Sequence, residues 1–271
     1  MTALPRDPDQ PAGGSGGGTP VVVLTIAGSD SGGGAGIQAD LKTFAALGTY
    51  GVSVLTAITA QNTLGVTAVH PVPAEIVAAQ LDAVLGDFAV AAVKVGMVAD
   101  PAVAAVIAER AASLPNLVVD PVLVSTSGSR LSNVDAVAPL LAYPRILTPN
   151  RTEAGALLGF AELGFADRGD AEMARALAAR GPEAVVVTGS ERAVDVLHHA
   201  GRTSVLRGVP VPTINNHGSG CTFSSAIAVR LALGDDIGDA VLFAKDYVAR
   251  ALAGGRDWKL GSGPGPLHHF V

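Results

Sequence analysis

The 271-residue chain contains one cysteine and few charged or aromatic residues. A single cysteine cannot form an internal disulfide, which excludes the disulfide framework of small secreted domains. Lys and Arg number 18 against 24 Asp and Glu, for a formal charge of −6, so the chain is not a generally basic nucleic-acid binder. Aromatic residues make up 4% of the chain, too few for the stacking platforms that bind single-stranded nucleic acid. We therefore expect a small-molecule partner.

Long apolar runs and a typical secretion signal are also missing. No apolar run approaches the roughly 18 residues of a membrane helix, and residues 1–20 lack the basic start and apolar core of a signal peptide. From these features we expect a soluble cytoplasmic protein. Hydrophobic residues account for 49% of the chain and charged residues for 15%, the reverse of a disordered composition. A folded globular protein is predicted.

Beyond a Gly- and Pro-rich stretch at residues 1–19, interpreted as a flexible tail, short apolar runs alternate with segments of helical spacing. The runs predict strands at 21–27, 52–60, 91–98, 117–124, 145–148 and 184–188. Helices are predicted at 37–47, 74–85, 101–112, 152–158, 171–179, 222–233 and 237–252. The pattern predicts an α/β fold with a mostly parallel central sheet, helices on both faces and a single domain over 20–271. Only 195–213 breaks the rhythm, and its alternating residues predict a hairpin.

Ligands of such sheets bind outside the carboxyl ends of the strands, which draws attention to the loops at 28–36, 148–153 and 215–221. The first loop is rich in glycine, which suits either an anion or ring contact with the backbone or simply a tight strand-to-helix turn. Both interpretations remain open from the sequence.

The third loop ends in Gly218-Ser219-Gly220-Cys221, directly before a predicted helix. No Gly-Lys pair occurs in the chain, so a Walker-type phosphate loop is absent. Glycines allow close backbone approach, and the free amides and dipole of a helix N-terminus stabilise negative charge, so this loop is the better phosphate candidate. Cys221 in the first helical turn is expected to have a lowered thiol pKa unless bound phosphate opposes it; the alternative is a buried, inert cysteine.

Two carboxylates fall at the same predicted edge of the sheet. Glu153 follows Asn150 by three residues, which suits either a contact through water to a metal-nucleotide or an ordinary helix capping box. Asp120 ends a predicted strand just before Pro121. Taken singly, neither residue defines a function.

The combination of motifs is more specific than its parts, and it resembles hydroxymethylpyrimidine/phosphomethylpyrimidine kinase over about residues 21–270. The segments that carry the resemblance are Ala27-Gly28-Ser29-Asp30, Gly33-Gly34-Ala35-Gly36-Ile37-Gln38-Ala39-Asp40-Leu41-Lys42-Thr43, Ala60-Gln61-Asn62-Thr63, Lys94-Val95-Gly96-Met97, Asp120-Pro121-Val122, Thr148-Pro149-Asn150, His217-Gly218-Ser219-Gly220-Cys221-Thr222 and His268-His269-Phe270.

The resemblance implies a ribokinase-like fold and ATP- and Mg²⁺-dependent phosphorylation of 4-amino-5-hydroxymethyl-2-methylpyrimidine and then of its monophosphate, in thiamin biosynthesis. It implies a pyrimidine site formed by Gly28, Asp40, Gln61, Met97 and Val122, with Asp40 and Gln61 bonding the aminopyrimidine. Asp120, Asn150, Thr188 and Gly189 would contact the nucleotide, and Glu153 the metal, through water. Gly218, Ser219 and Gly220 would form the anion hole beside Cys221, which we expect to assist catalysis without being indispensable. Relatives are often homodimers, so a homodimer is expected.

The sequence departs from the family pattern before the anion hole, where Ile214 replaces a frequent lysine and Asn216 a frequent threonine. A missing cation puts the second phosphorylation in question, because a diphosphate product has more charge to neutralise. Two alternatives to the pyrimidine kinase remain. One is a pyridoxal kinase, whose substrate also bears a hydroxymethyl group on a flat heteroaromatic ring, and the other is a non-catalytic pyrimidine-binding sensor.

Overall fold

The computed structural model describes residues 18–124, 128, 131–160, 169–189 and 193–271. Within these residues the strands form one sheet in the order β3-β2-β1-β4-β5-β6-β7-β8-β9. Their bounds are β1 Val22–Asp30, β2 Tyr50–Asn62, β3 Gly65–Pro71, β4 Val90–Val95, β5 Val118–Val119, β6 Ile146–Leu147, β7 Ala184–Val187, β8 Val194–His199 and β9 Arg202–Arg207. The tail predicted at 1–19 lies, up to residue 17, outside the described residues.

Helices cover both faces of this sheet. They are α1 Gly36–Ala46, α2 Ala74–Asp87, α3 Pro101–Glu109, α4 Val134–Val137, α5 Arg151–Leu157, α6 Asp170–Ala178, α7 Ser219–Ala232 and α8 Ile237–Gly255. Each face of the sheet packs against its helices in a separate hydrophobic core, and alternate residues of β1 point into the two cores. Leu24 and Ile26 pack toward α2 to α6, whereas Val23 packs toward α1, α7 and α8. The sheet is therefore buried on both faces, as its continuous apolar runs predict.

The pairing confirms the predicted fold class. Strands β2, β1, β4, β5, β6 and β7 are parallel neighbours, and the segment at 195–213 contains the predicted hairpin, β8 with β9. Three details differ from the sequence expectation. Strand β1 continues through Gly28 to Asp30, with a register shift against β2. Strand β5 ends at Val119, because Pro121 has no N–H for the ladder. The exposed strand β3 was not predicted, since it has no apolar face to bury.

The chain after α8 folds back toward the carboxyl edge of the sheet. His217 N–H donates to the carbonyl of Gly265 at 3.1 Å, and the Tyr247 hydroxyl, fully buried on α8, donates to the carbonyl of His269. The amide of Asn215 donates to the carbonyls of Gly255 and Trp258 at 2.9 and 2.8 Å. These bonds anchor the segment that leads into α7.

Among the helices of the described residues, none has the length and apolar character needed to cross a bilayer.

We expect Tyr247→Phe to lower the free energy of unfolding by about 1 kcal/mol, because the buried carbonyl of His269 loses a donor while the ring still fills its site. Urea denaturation measures this difference. Tyr143, which is 50% exposed, provides the matched control, and Tyr143→Phe should change stability by less than about 0.5 kcal/mol. Equal effects of the two substitutions would show that the C-terminal segment does not depend on this bond.

Candidate active site

Three segments meet where the parallel strands end. A Cβ atom placed on Gly218 would lie 1.9 Å from the carbonyl oxygen of Gly34, so the start of α7 touches the glycine-rich loop directly. A Cβ atom on Gly220 would lie 3.8 Å from Oδ2 of Asp120, beyond the end of β5. The structure thus brings together the first and third loops singled out in the sequence, with Asp120 beside them.

The glycine-rich loop is organised by the buried carboxylate of Asp30. Its Oδ1 accepts the N–H of Gly32 at 2.8 Å, and its Oδ2 accepts those of Gly34 and Ala35 at 3.0 and 2.9 Å. Nε2 of His217 lies 2.8 Å from the same Oδ2. Burial acts to raise the pKa of Asp30, but these hydrogen bonds outweigh it and lower the pKa. Asp30 and His217 were not assigned a role from the sequence, although both fall within recognised motifs.

The first turn of α7 presents backbone amides at this edge. Ser219 N–H donates to the carbonyl of Asn216, and Thr222 N–H to that of Gly218. Between them, the N–H groups of Gly220 and Cys221 donate to no backbone carbonyl of the described chain. Gly218 has φ +85°, a conformation that glycine adopts without strain. The resemblance implied an anion hole of Gly218, Ser219 and Gly220, but the N–H of Ser219 is already bonded to Asn216, so the free N–H groups are those of Gly220 and Cys221. Free N–H groups at a helix N-terminus suit an anion, and the anion hole itself stays a prediction.

Cys221 does not have the lowered pKa that its position in the first helical turn suggested. Burial raises the pKa of the thiol to about 12, and the nearby charge of Lys94 and the N–H of Gly36 only partly oppose this. Cys221 is therefore a thiol at neutral pH, because burial destabilises the thiolate more than the helix N-terminus stabilises it.

The residues expected around the pyrimidine fall into two groups. Gly28 and Met97 are adjacent, since a Cβ atom on Gly28 would lie 3.0 Å from the methionine sulfur. Gln61, half-buried at the end of β2, lies beside the anion-hole segment, with its Nε2 3.4 Å from Nε2 of His217. Val122 is half-buried just after Asp120. Gly28 and Met97 thus contact each other, Gln61 contacts His217, and Val122 follows Asp120 by two residues. We call the region between the glycine-rich loop, the start of α7 and Asp120 the cleft.

Asp40 does not fit the expectation that it bonds the aminopyrimidine. It is fully buried, and its carboxylate accepts hydrogen bonds from Lys94, Thr25 and Ser225 at 2.6–2.9 Å. The sequence could not reveal these donors, because they come from three separate elements. Lys94, Thr25 and Ser225 surround the buried carboxylate, which leaves it no exposed surface.

A second group of polar residues lies at the ends of β5 and β6. Asn150 and Glu153 form the complete capping box of α5, and Glu153 also accepts the N–H of Leu123 at 3.2 Å. Asp120 accepts the hydroxyl of Ser224 at 3.2 Å. Burial and mutual repulsion raise the pKa of Glu153, and burial also raises that of Asp120, although Lys94 opposes the shift there. Such a pair of buried carboxylates is electrostatically suited to a nearby cation.

The described residues contain no cluster of three or more His, Cys, Asp or Glu side chains able to hold a metal. Asp120 and Glu153 therefore suit an ion that keeps several waters and ligand oxygens, as Mg²⁺ usually does, rather than an all-protein cage. A cavity of about 200 Å³ adjoins Asn150 and Glu153. Thr188 pairs with Asn150 across the sheet, and the N–H of Gly189 donates to Asp195 at 3.0 Å. This places all the residues expected to bind the nucleotide on adjacent strand ends.

Comparisons with known sequences agree with the motifs. The family model described as phosphomethylpyrimidine kinase matches residues 30–268. The hydroxymethylpyrimidine/phosphomethylpyrimidine kinase of Rhizobium meliloti is 48% identical over 258 residues, covering 92% of this chain and 97% of the relative. That of Escherichia coli is 41% identical over 257 residues, covering 91% of this chain and 96% of the relative.

Solved structures of two related kinase types share the fold, which is the expected ribokinase-like one. Phosphomethylpyrimidine kinase from Clostridium difficile matches with a TM-score of 0.72 and 41% identity, over 86% of this chain and 99% of the other. Pyridoxal kinase from Bacillus subtilis, solved as an ADP complex, matches with a TM-score of 0.83 and 35% identity, over 93% and 98% of the two chains. The family match spans most of the sequence and includes all three site segments, so this chain belongs to the phosphomethylpyrimidine kinase family.

Proposed function

We propose that this kinase transfers the γ-phosphoryl group of ATP to the hydroxymethyl group of 4-amino-5-hydroxymethyl-2-methylpyrimidine and then phosphorylates the monophosphate to the diphosphate, in the cytoplasmic synthesis of thiamin. The observation that carries this proposal is the first turn of α7. The N–H groups of Gly220 and Cys221 in this turn have no backbone acceptor among the described residues, and the turn touches the glycine-rich loop and lies beside Asp120. The names of the relatives supply the substrate.

The pyrimidine ring would lie against the surface that Gly28 and Met97 form together. The two residues are in direct contact, since a Cβ atom on Gly28 would lie 3.0 Å from the methionine sulfur, so the ring stacks against this surface and not between the two residues. Gln61 bonds the ring polar atoms through its amide, which supplies both donors and acceptors. Val122 closes the cleft with apolar surface. Gln61 and Met97 favour the pyrimidine over pyridoxal.

Phosphoryl transfer depends mainly on positioning and on stabilising the charge of the transferred group. The amides of Gly220 and Cys221 lie where they can donate to the equatorial oxygens, and the helix dipole adds to the same attraction. Cys221 remains a thiol at neutral pH, so it acts as a weak donor or spacer beside the hydroxymethyl group rather than as a strong base.

Asp120, Asn150, Thr188 and Gly189 would border the nucleotide, and Glu153 would hold Mg²⁺ through water. When bound, the ion would neutralise charge on the phosphates. The buried carboxylates of Asp120 and Glu153, whose pKa values are raised by burial, would gain a compensating charge from it.

We further propose that the protein is a homodimer.

The function is tested by measuring ADP release with Mg²⁺ and ATP and three separate acceptors: the hydroxymethylpyrimidine, its monophosphate and pyridoxal. Mass spectrometry identifies the products. We expect turnover of both pyrimidines and a much smaller kcat/KM for pyridoxal. Turnover of pyridoxal alone would replace this proposal with a vitamin B6 kinase, and folded protein inactive on all three acceptors would favour the sensor.

We expect Gly218→Ala to reduce kcat by at least about 100-fold, because displacing the first turn of α7 would move the N–H groups of Gly220 and Cys221 out of position, with an effect like that of losing an oxyanion-hole donor. The substituted Cβ would clash with the carbonyl of Gly34, and the residue would also be held at φ +85°. Gly234 at the other end of α7 is the matched control, since it has φ +97° but open space around it. Gly234→Ala should introduce the same backbone strain but keep kcat within about threefold of the parent. Loss of activity in both variants would show that strain in α7, and not the geometry of the anion hole, lowers kcat.

The Ile214→Lys substitution tests the missing cation. Ile214 is 73% exposed and lies three residues before His217. A lysine there is expected to raise kcat/KM for the monophosphate about two- to fivefold, with little change for the alcohol. The effect is small because an exposed charge contact contributes little free energy. Val209→Lys, at a position 82% exposed, adds the same charge at the end of β9 and should not discriminate between the substrates. Equal increases for both substrates would assign no role to position 214 in the second step.

A further inference from the structure

Lys94 is a buried cation that the proposed mechanism does not use. It lies on β4 with no exposed side-chain surface, and its Nζ donates to both oxygens of Asp40 at 2.9 Å. Burial acts to lower the pKa of Lys94, but the attraction of Asp40 outweighs it and raises the pKa, so the ammonium stays charged. The next-but-one residue, Gly96, leaves the space this group needs, because a Cβ there would lie 2.7 Å from Nζ.

The pair is connected to elements on either side of it. Asp40 lies on α1, which starts directly after the glycine-rich loop, and accepts the hydroxyl of Thr25 on β1 at 2.6 Å. It also accepts the hydroxyl of Ser225 on α7 at 2.7 Å. Ser225 is four residues beyond Cys221, so it lies one helical turn below the amides of the anion hole.

A buried ion pair of this kind is expensive in desolvation and is often no more stable than an apolar replacement. Stability alone therefore does not explain it. Its distinctive property is geometric: one carboxylate with four protein hydrogen bonds fixes α1, β1, β4 and α7 relative to one another. These are the elements that precede or follow the glycine-rich loop, Met97 and the anion hole.

We propose that Lys94 and Asp40 are positioning residues for phosphoryl transfer, which set the first turn of α7 against the glycine-rich loop, and that Asp40 does not bind the pyrimidine. The proposal deepens the proposed function and rests on it for its kinetic test. Positioning errors of about 1 Å are expected to lower kcat strongly while leaving ring binding largely intact.

The kinetic test compares Asp40→Asn, Lys94→Met and the double variant. We expect each single variant to lower kcat by at least tenfold, with KM for the hydroxymethylpyrimidine changed less than about threefold. The double variant, which buries no unpaired charge, should recover part of the kcat lost in Lys94→Met. Val241→Ala, a cavity in the core behind α7, controls for general destabilisation and should keep kcat near that of the parent.

A second measurement does not depend on catalysis. Cys221 is the only cysteine, and the groups that act on its thiol pKa are Lys94, Asp40, Asp120 and the N–H of Gly36. Removing the ammonium should slow modification of the thiol by methyl methanethiosulfonate at pH 8, and removing the Asp40 charge should accelerate it. This readout distinguishes the two proposals: an enzyme inactive on pyrimidines would overturn the proposed function, while the thiol rates would still test the pair.

Two results would overturn the inference. If Asp40→Asn raised KM for the pyrimidine tenfold with kcat unchanged, Asp40 would be a substrate ligand. If Lys94→Met failed to fold, the decision would fall to Asp40→Asn, because the opposite effects of the two charges on the thiol offset each other in the double variant. A thiol modification rate of Asp40→Asn equal to that of the parent would show that the pair does not reach the anion hole.

Discussion

The close approach of two backbone segments governs this active site. Gly218 and Gly34 come so near that no side chain fits between them, so the start of α7 lies directly against the glycine-rich loop. Asp30 keeps the loop in this shape by accepting three of its N–H groups, and His217, the residue before Gly218, bonds the same carboxylate. Two segments that lie 187 residues apart in sequence are therefore held against each other at this point of the fold.

Electrostatics adds a second constraint. Four buried carboxyl groups lie near this site, and neighbouring groups stabilise their negative charge to different degrees. They belong to Asp30, Asp40, Asp120 and Glu153. Backbone N–H groups and His217 stabilise the charge of Asp30, and Lys94 neutralises Asp40. At Asp120 the charge of Lys94 only partly offsets burial, and at Glu153 the N–H groups of Asn150 and Leu123 only partly offset it, so the pKa values of both carboxyl groups rise. The two carboxyl groups with raised pKa values are those that the proposed function assigns to the nucleotide and its cation, whose positive charge would favour their ionised forms.

The sequence predicted much of this arrangement for clear physical reasons. Buried parallel strands are continuous apolar runs, and helix termini have local signals, so the alternation, the hairpin and the three loops were identifiable. The capping box of Asn150 and Glu153 is equally local. The sequence could not show which residues far apart in the chain form hydrogen bonds with each other in the fold. The family resemblance implied that Asp40 bonds the substrate, and nothing in the local sequence reveals that Lys94 and Ser225 share its carboxylate. The pKa of Cys221 was misjudged for a similar reason, since burial is a property of the assembled fold.

The C-terminal segment also bears on how the site assembles. Thr63, two residues after Gln61, accepts hydrogen bonds from the N–H groups of Ser262 and Gly263 at 3.2 and 3.1 Å, and Asn215 accepts that of Gly265 at 2.9 Å. During synthesis on the ribosome, most of the sheet is available to fold before these residues emerge, but the cleft can close only afterwards. Contacts of such long sequence separation form late because their loop-closure entropy is large. The nascent chain is therefore expected to pass through a stage in which the sheet is formed and the cleft is still incompetent to bind its ligands.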